Sequence, residues 1–205
     1  MIDKYEESLV GLLQKYAAAA SMPVEKAISL PFGVYNNRDV YTYETDAIFR
    51  NEWVFICCEQ ELPYNGDYYA FDLVGEKLVI LRGQNGKLQA LSNNCRHRGT
   101  PLLNEGFGNT ENNIVCPYHG WTYNDDGVLK AVPLPGAIEV EKKEHCLPKF
   151  RLESWHGLLF IHLGDNPVSL AQRFQGIDDY LGYFDLPSFQ YNHQGSVEHW
   201  DANWK

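Results

Sequence analysis

The sequence has no hydrophobic run that approaches the length of a transmembrane helix, so a membrane-spanning segment is not expected. Positive charge is also scarce, because 17 Lys and Arg residues stand against 27 Asp and Glu residues and give a formal net charge of −10. Such an acidic chain is poorly suited to nucleic acid or an anionic membrane surface as a partner. Residues 1–7 are acidic and lack the apolar core of a signal peptide. These absences predict a cytoplasmic protein whose partners include neither nucleic acid nor a membrane.

The sequence has only five cysteines, and two of them belong to the motifs described below. The other three, Cys57, Cys58 and Cys146, are interpreted as reduced thiols in a reducing compartment. Cys57 and Cys58 are adjacent in an apolar stretch, so a buried strand is favoured there over a redox pair. With 44% apolar residues, the chain can bury a sizeable core, as one large domain or one domain with appendages.

Two short motifs each combine one cysteine with one histidine: residues 95–97 (CRH) and residues 116–119 (CPYH). Together they offer two thiolates and two imidazoles, the ligand set of a [2Fe–2S] cluster in which histidine replaces cysteine on one iron. With two thiolates rather than four, the oxidised cluster is formally neutral and accepts an electron more easily. The predicted metal ligands, and with them a [2Fe–2S] cluster as cofactor, are Cys95, His97, Cys116 and His119.

A structural zinc site is the competing interpretation, because two cysteines and two histidines also complete a tetrahedral Zn²⁺ shell. Zinc fingers usually supply the cysteines from one motif and the histidines from the other, whereas both motifs are mixed here. Gly99 and Gly120 follow the two histidines closely, and glycine there lets backbone N–H groups approach cluster sulfides. The pattern therefore favours the iron–sulfur cluster over zinc.

Residues 95–99 (CRHRG), followed by residues 116–123 (CPYHGWTY), resemble the cluster signature of Rieske non-haem iron oxygenases, in the N-terminal part of their large (alpha) subunit. Rieske proteins of respiratory and photosynthetic complexes differ, because each of their loops carries a disulfide cysteine where this chain has Thr100 and Tyr118. They also have a serine where this chain has Trp121. The loss of that hydroxyl predicts a lower reduction potential, which suits reduction by a ferredoxin or flavin reductase rather than by a quinol.

The pattern of apolar and turn residues predicts a mainly β (α+β) fold, with an antiparallel β-domain that presents both motifs at its tip. Asn85-Gly86 predicts a two-residue hairpin turn. Helices are predicted over residues 3–20, 41–49 and 168–181, and strands over 53–58, 68–74, 77–82, 87–92, 150–155, 158–163 and 190–204, with a further hairpin at 121–129.

These elements divide the chain into an N-terminal helical arm (1–39), a Rieske [2Fe–2S] domain (40–165), and a linker helix with the start of a catalytic domain (166–205). Residues 203–205 (NWK) resemble an element that precedes the iron-binding segment of the catalytic domain in this family. The resemblance therefore implies that a mononuclear Fe(II) site belongs to a C-terminal domain missing from this sequence. No catalytic residue is predicted here, and a second metal site is not expected among His145, His156, His162, His193 and His199.

The resemblance also implies a function for the chain as part of an oxygenase component. A reductase or ferredoxin delivers electrons to the cluster, which relays them to the mononuclear Fe(II) for O₂-dependent hydroxylation or demethylation of a small organic substrate. Such subunits assemble as homotrimers, and the 205 residues alone are expected to be catalytically incomplete. The alternative is a stand-alone Rieske ferredoxin. The helical arm and the residues after the β-domain argue against it, since an electron carrier needs neither.

Overall fold

The computed structural model of the protein describes residues 8–133, 139–181, 183–190 and 200–205. The chain forms two compact units, one of Met1–Ile48 with His193–Lys205 and one of Phe49–Asn192. Within the described ranges, no helix is both long and apolar enough to cross a membrane. The division into three parts made from the sequence stays a prediction.

The smaller unit is helical, and two of its helices, those after Ser8 and Asn37, begin where a side chain caps them. Helix α1 (Leu9–Ala20) starts after Ser8, whose hydroxyl accepts the N–H of Gly11. Of the helix predicted over residues 3–20, residues 9–20 are helical and residue 8 is the cap, whereas residues 3–7 lie outside the described residues. The remaining helices are α2 (Gly33–Asn36), α3 (Arg38–Glu44), a short 3₁₀ turn (Val24–Lys26) and a π-helical turn (Thr45–Phe49). Helix α3 begins before the predicted residue 41 because Asn37 caps it.

The C-terminal residues of the chain belong to this unit and contact its helices through a buried ion pair. Lys205 Nζ lies 2.8 Å from Glu44 Oε2, and the Trp204 indole N–H donates to the same oxygen at 3.2 Å. The strand predicted over residues 190–204 is absent from the part that can be compared, because residues 200–204 form bends and irregular backbone. The rest of that prediction, residues 191–199, lies outside the described residues.

The larger unit contains a seven-stranded antiparallel sheet and a separate three-stranded antiparallel sheet. The large sheet has the order β1-β10-β9-β4-β3-β2-β5, and the small sheet has the order β6-β7-β8. The strands are β1 (Val54–Cys58), β2 (Asp67–Leu73), β3 (Glu76–Arg82), β4 (Leu88–Ser92), β5 (Gly106–Asn109), β6 (Asn113–Val115), β7 (Thr122–Asn124), β8 (Leu129–Ala131), β9 (Lys149–Trp155) and β10 (Leu158–His162). This architecture confirms the predicted antiparallel β-fold.

The strands predicted from the sequence agree with β1–β4 and β7–β10 to within one or two residues, but β5 and β6 were missed. Strand β5 contains two glycines, which weaken the sequence signal of a strand. One of them is needed for packing, because a Cβ atom at Gly108 would collide with the ring of Tyr68 on the neighbouring strand. Strand β6 has only three residues.

Two further predictions, one about a hairpin turn and one about a helix, were wrong in detail. The β3–β4 connection is a three-residue loop rather than a two-residue turn, because Gly83 and Lys87 still pair through the Gly83 N–H at 2.9 Å. Gly86 takes the left-handed conformation (φ +77°) that this longer loop requires. The helix predicted over residues 168–181 is broken into α4 (Leu170–Arg173) and α5 (Ile177–Leu181), because Gly176 between them has φ +88°.

Strand β3 lies at the centre of the core and is buried on both faces. Val79 and Leu81 face one cluster of buried residues, which includes both motif cysteines and the buried residues of the small sheet. Leu78 and Ile80 face the other cluster, which includes Cys57 of β1. Burial raises the pKa of the Cys57 thiol to about 12, so it stays neutral and behaves as a small apolar residue. The buried-strand interpretation of this cysteine is confirmed.

One hairpin contains a residue that the turn disfavours. Val74 and Gly75 connect β2 to β3 in a two-residue loop with φ values of +47° and +89°, and a β-branched residue is strained at positive φ. We expect Val74→Asn to stabilise the protein by about 1 kcal/mol, because Asn tolerates this conformation. Urea unfolding measures the change. Val128→Asn is the matched control, since Val128 also lies beside a hairpin turn and lacks a positive φ; an equal gain there would contradict the explanation.

Candidate metal centre

The two motifs lie on loops that close in the same way. Cys95 follows β4, and its carbonyl accepts the Gly99 N–H at 2.8 Å; Cys116 follows β6, and its carbonyl accepts the Gly120 N–H at 3.0 Å. Both glycines have positive φ, +71° and +68°. A residue with a Cβ would be strained at either position. The shared closure explains why a glycine follows each histidine although the two motifs differ in spacing.

A buried asparagine holds the first loop at its base. Asn93 is 1% exposed, and its side-chain amide donates to the Leu103 carbonyl and accepts the Leu103 N–H, both at 2.9 Å. These bonds join the two ends of the loop across ten residues. Asn93 is a supporting residue that the sequence analysis missed, because its role depends on a partner distant in the chain.

The four predicted ligands separate by chemical type. The Cys95 and Cys116 side chains are 3% and 2% exposed, whereas His97 and His119 are exposed. The two imidazole rings are 4.8 Å apart between centroids. A cluster with cysteine on one iron and histidine on the other requires this kind of separation, with the thiolates on one side and the imidazoles on the other. The donor set therefore fits a [2Fe–2S] cluster.

The surroundings of one cysteine and one histidine, Cys95 and His97, favour the neutral form of each side chain. Burial raises the pKa of the Cys95 thiol; hydrogen bonds from Tyr123 and the His97 backbone oppose the rise, and the neighbouring Cys116 adds to it. The pKa of His97 is lowered by lost hydration and by the positive charges of His119, Arg98 and His145. Neutral imidazole is the form that binds a metal, whereas the thiols must lose their protons to do so.

A tyrosine hydroxyl lies beside one of the cysteine sulfurs. The Tyr123 oxygen accepts the Arg96 N–H at 3.0 Å, and it lies 3.5 Å from Cys95 Sγ. Because the oxygen already accepts a hydrogen bond, the hydroxyl hydrogen is available to the sulfur. The sequence analysis assigned no role to Tyr123. A usable signal was present in the sequence, because Trp121 and Tyr123 are aromatic residues two positions apart, the spacing that puts side chains on one face of a strand. Both are buried in the structure.

Aromatic rings surround the two histidines. The Trp121 indole is stacked on His97, with ring centroids 4.9 Å apart and planes 6° from parallel. The ring centroids of Tyr118 and His119 are 3.8 Å apart. These residues line an open cleft of about 750 Å³. Its other lining residues are Val132, Pro133, Glu139, Val140, Glu141, Glu144 and His145. The cleft places the imidazole edges in reach of solvent on a surface with several carboxylates.

The expectation that the other histidines form no second metal site stays a prediction, and the three that the structure describes have different partners. His145 contacts Trp121 edge-on, His156 pairs with Asp178 at 2.9 Å, and His162 is buried with its Nδ1 accepting the Gly164 N–H. In the parts of the chain that the structure covers, no group of three or more Cys, His, Asp or Glu residues could hold a single metal ion. His193 and His199 lie outside the described residues.

An antiparallel β-domain with two mixed cysteine–histidine loops defines an iron–sulfur protein of the Rieske class. Residues 52–151 match the family described as the Rieske [2Fe-2S] domain. The chain therefore contains a Rieske [2Fe-2S] domain, and it is similar to the N-terminal portion of Rieske oxygenase (alpha) subunits. The resemblance identified from the motifs is thereby confirmed.

Three similar proteins illustrate the relationship. The glycine betaine monooxygenase oxygenase subunit of Chromohalobacter salexigens is 31% identical over 86% of this chain and 39% of its own length. The N,N-dimethyl phenylurea N-demethylase subunit alpha of Sphingobium sp. is 35% identical over 70% of this chain and 32% of its own length. The crystal structure of the quaternary ammonium Rieske monooxygenase CntA with γ-butyrobetaine has a TM-score of 0.71 and 32% identity, over 77% of this chain and 45% of that chain. The chain spans less than half the length of these relatives.

Proposed function

We propose that Cys95 and Cys116 bind one iron of a [2Fe–2S] cluster and that His97 and His119 bind the other. The observation that carries this proposal is the separation of the donors, with buried thiols and exposed imidazoles on two loops that close alike. When bound, the cluster supplies one-electron transfer. The four side chains hold it at the tip of a packed β-domain, so little rearrangement is needed when the charge changes.

The chain acts in this proposal as the electron-transfer part of a Rieske oxygenase component. Electrons enter from a reductase or ferredoxin and continue to a mononuclear Fe(II) expected only in a C-terminal catalytic domain. The exposed imidazole edges of His97 and His119 provide the exit, because a side chain at the surface brings the donor close to an acceptor. The buried cysteines and the surrounding core keep water from the sulfur side.

The complete protein would be a mono- or dioxygenase that hydroxylates or demethylates a small organic substrate. The relatives whose names specify a glycine betaine, phenylurea or quaternary ammonium activity make N-alkylated compounds the first candidates to test. We further propose a cytoplasmic location and a homotrimer for the complete subunit. The stand-alone ferredoxin alternative is less favoured, since these relatives are oxygenase subunits.

Electron transfer and oxygenation are tested in two stages. The purified chain, mixed anaerobically with NADH and a flavin reductase, with or without a ferredoxin, is expected to lose visible absorbance as its cluster is reduced. The same chain extended by a complete catalytic domain is then supplied with Fe(II), O₂ and N-methylated substrates, and formaldehyde or hydroxylated product is measured. Reduction without product in the extended protein would favour the electron-carrier alternative. Failure of every donor to reduce the cluster would contradict the proposed function.

A further inference from the structure

Trp121 connects the two motif loops. Its backbone carbonyl accepts the Cys116 N–H at 2.8 Å and so closes the second loop. Its indole ring lies against His97 of the first loop, with the planes only 6° from parallel. The residue is 5% exposed, whereas the imidazole that it contacts is exposed. A fixed ring in the core therefore restrains a side chain at the surface.

A second contact holds the indole itself. His145, at the end of the 3₁₀ helix Lys142–His145, meets Trp121 edge-on, with centroids 5.4 Å apart and planes 68° apart. The His145 ring is in turn held by a 3.0 Å hydrogen bond to the Glu141 carbonyl. The indole thus has imidazole neighbours from two separate segments. Edge-on and stacked aromatic contacts each restrict ring rotation.

The other imidazole has weaker support. His119 is covered by Tyr118, but the two planes are tilted by 33° and Tyr118 is 58% exposed. Tyr118 is also the adjacent residue in the chain, so it moves with the same loop. The structure therefore supports the two histidines unequally, and His97 has the more rigid environment.

We propose that Trp121 is a positioning residue for His97: the stacked indole fixes the plane of the imidazole and shields one of its faces from water. This inference rests on the proposed role of His97 as an iron ligand. Residues that orient a ligating histidine typically change metal affinity about 10–100-fold when they are altered. Loss of the indole should therefore loosen the cluster even though Trp121 is not itself a predicted ligand.

The test compares two variants of Trp121, one with an aromatic ring and one without. Trp121→Phe keeps an aromatic face for His97, whereas Trp121→Leu removes it. We expect Trp121→Leu to broaden the EPR spectrum of the reduced cluster and to release iron to a chelator about tenfold faster. Trp121→Phe should remain close to the wild type in both measurements. If Trp121→Leu does not yield folded protein, Trp121→Met replaces it as the variant without a ring.

Val79→Ala controls for loss of packing. Val79 is 1% exposed and belongs to the same core cluster, so this variant lowers stability without removing a ring from His97. Equal spectral broadening in Val79→Ala and Trp121→Leu would overturn the positioning role, as would an unchanged spectrum and iron-release rate in Trp121→Leu. A wild-type protein that binds no cluster at all would overturn the ligand assignment and, with it, the positioning role. A wild-type protein that binds the cluster but shows no effect of Trp121→Leu would overturn the positioning role alone.

Discussion

Replacing Cys116 by serine should abolish cluster binding, whereas the wild-type protein should contain two irons and two inorganic sulfides per chain. The thiolate is a strong, soft ligand for iron, and a serine hydroxyl is neither soft nor readily deprotonated. Cys116 is buried beside Cys95 in the core. Because metal binding and folding are coupled, the two loops should also lose order. Iron and acid-labile sulfide analysis, visible absorbance and EPR of the reduced protein measure the result.

Cys146→Ser is the matched control for this experiment. Cys146 is only partly buried, and its Sγ lies 3.6 Å from the Lys142 carbonyl, outside both motif loops. This variant should retain the full cluster and the low-average-g EPR signal expected of a histidine-ligated cluster. Full iron and sulfide content in Cys116→Ser would refute the ligand assignment, and stoichiometric zinc without sulfide in the wild type would favour the zinc interpretation.

Tyr123→Phe should lower the reduction potential of the cluster by roughly 40–80 mV. The Tyr123 hydroxyl is placed to donate to Cys95 Sγ, and a hydrogen bond to a ligand sulfur stabilises the more negative, reduced state. Hydrogen bonds to charged groups contribute about 1.5–3 kcal/mol. If the hydrogen bond stabilises the reduced cluster by about 1–2 kcal/mol more than the oxidised cluster, the potential changes by roughly 40–80 mV, since about 59 mV corresponds to a tenfold change in equilibrium for one electron. An EPR-monitored redox titration measures the shift.

Tyr68→Phe provides the control, because it removes a hydroxyl from the same core cluster without removing one that lies beside a motif sulfur. Its potential should stay at the wild-type value. An unchanged potential in Tyr123→Phe would show that the hydroxyl does not tune the cluster. An equal fall in both variants would attribute the effect to general changes in core polarity. The expected result would show that the cluster has a hydroxyl donor in Tyr123, even though Trp121 replaces the serine found in the Rieske proteins of respiratory and photosynthetic complexes.

Local chemistry explains why much of the domain could be predicted from the sequence. Strands such as β3 and β10 have the composition of buried strands, and this signal requires no knowledge of their partners. The family was identified from two motifs of four or fewer residues and their glycines. The assignment of Cys95, His97, Cys116 and His119 as ligands also came from residue type and spacing, and it stays a prediction for the experiments above.

Features that depend on neighbours distant in the chain could not be predicted in this way. Strand β5 lacks a strand pattern because Tyr68 of β2 occupies the space above Gly108. The break between α4 and α5 depends on the conformation that Gly176 takes, and a glycine permits but does not require positive φ. Local patterns report propensity, whereas these outcomes are set by packing.

The sequence alone was enough to predict the donor types, the antiparallel strand pattern and the family resemblance, because each follows from residues close together in the chain. Only the folded structure determined that the Tyr123 hydroxyl reaches a sulfur 28 residues earlier and that the Trp121 ring lies on His97. Both contacts arise where the small sheet and the first loop meet in one core cluster. The chemistry of the ligands is therefore local, whereas their orientation and hydrogen bonding are products of tertiary packing.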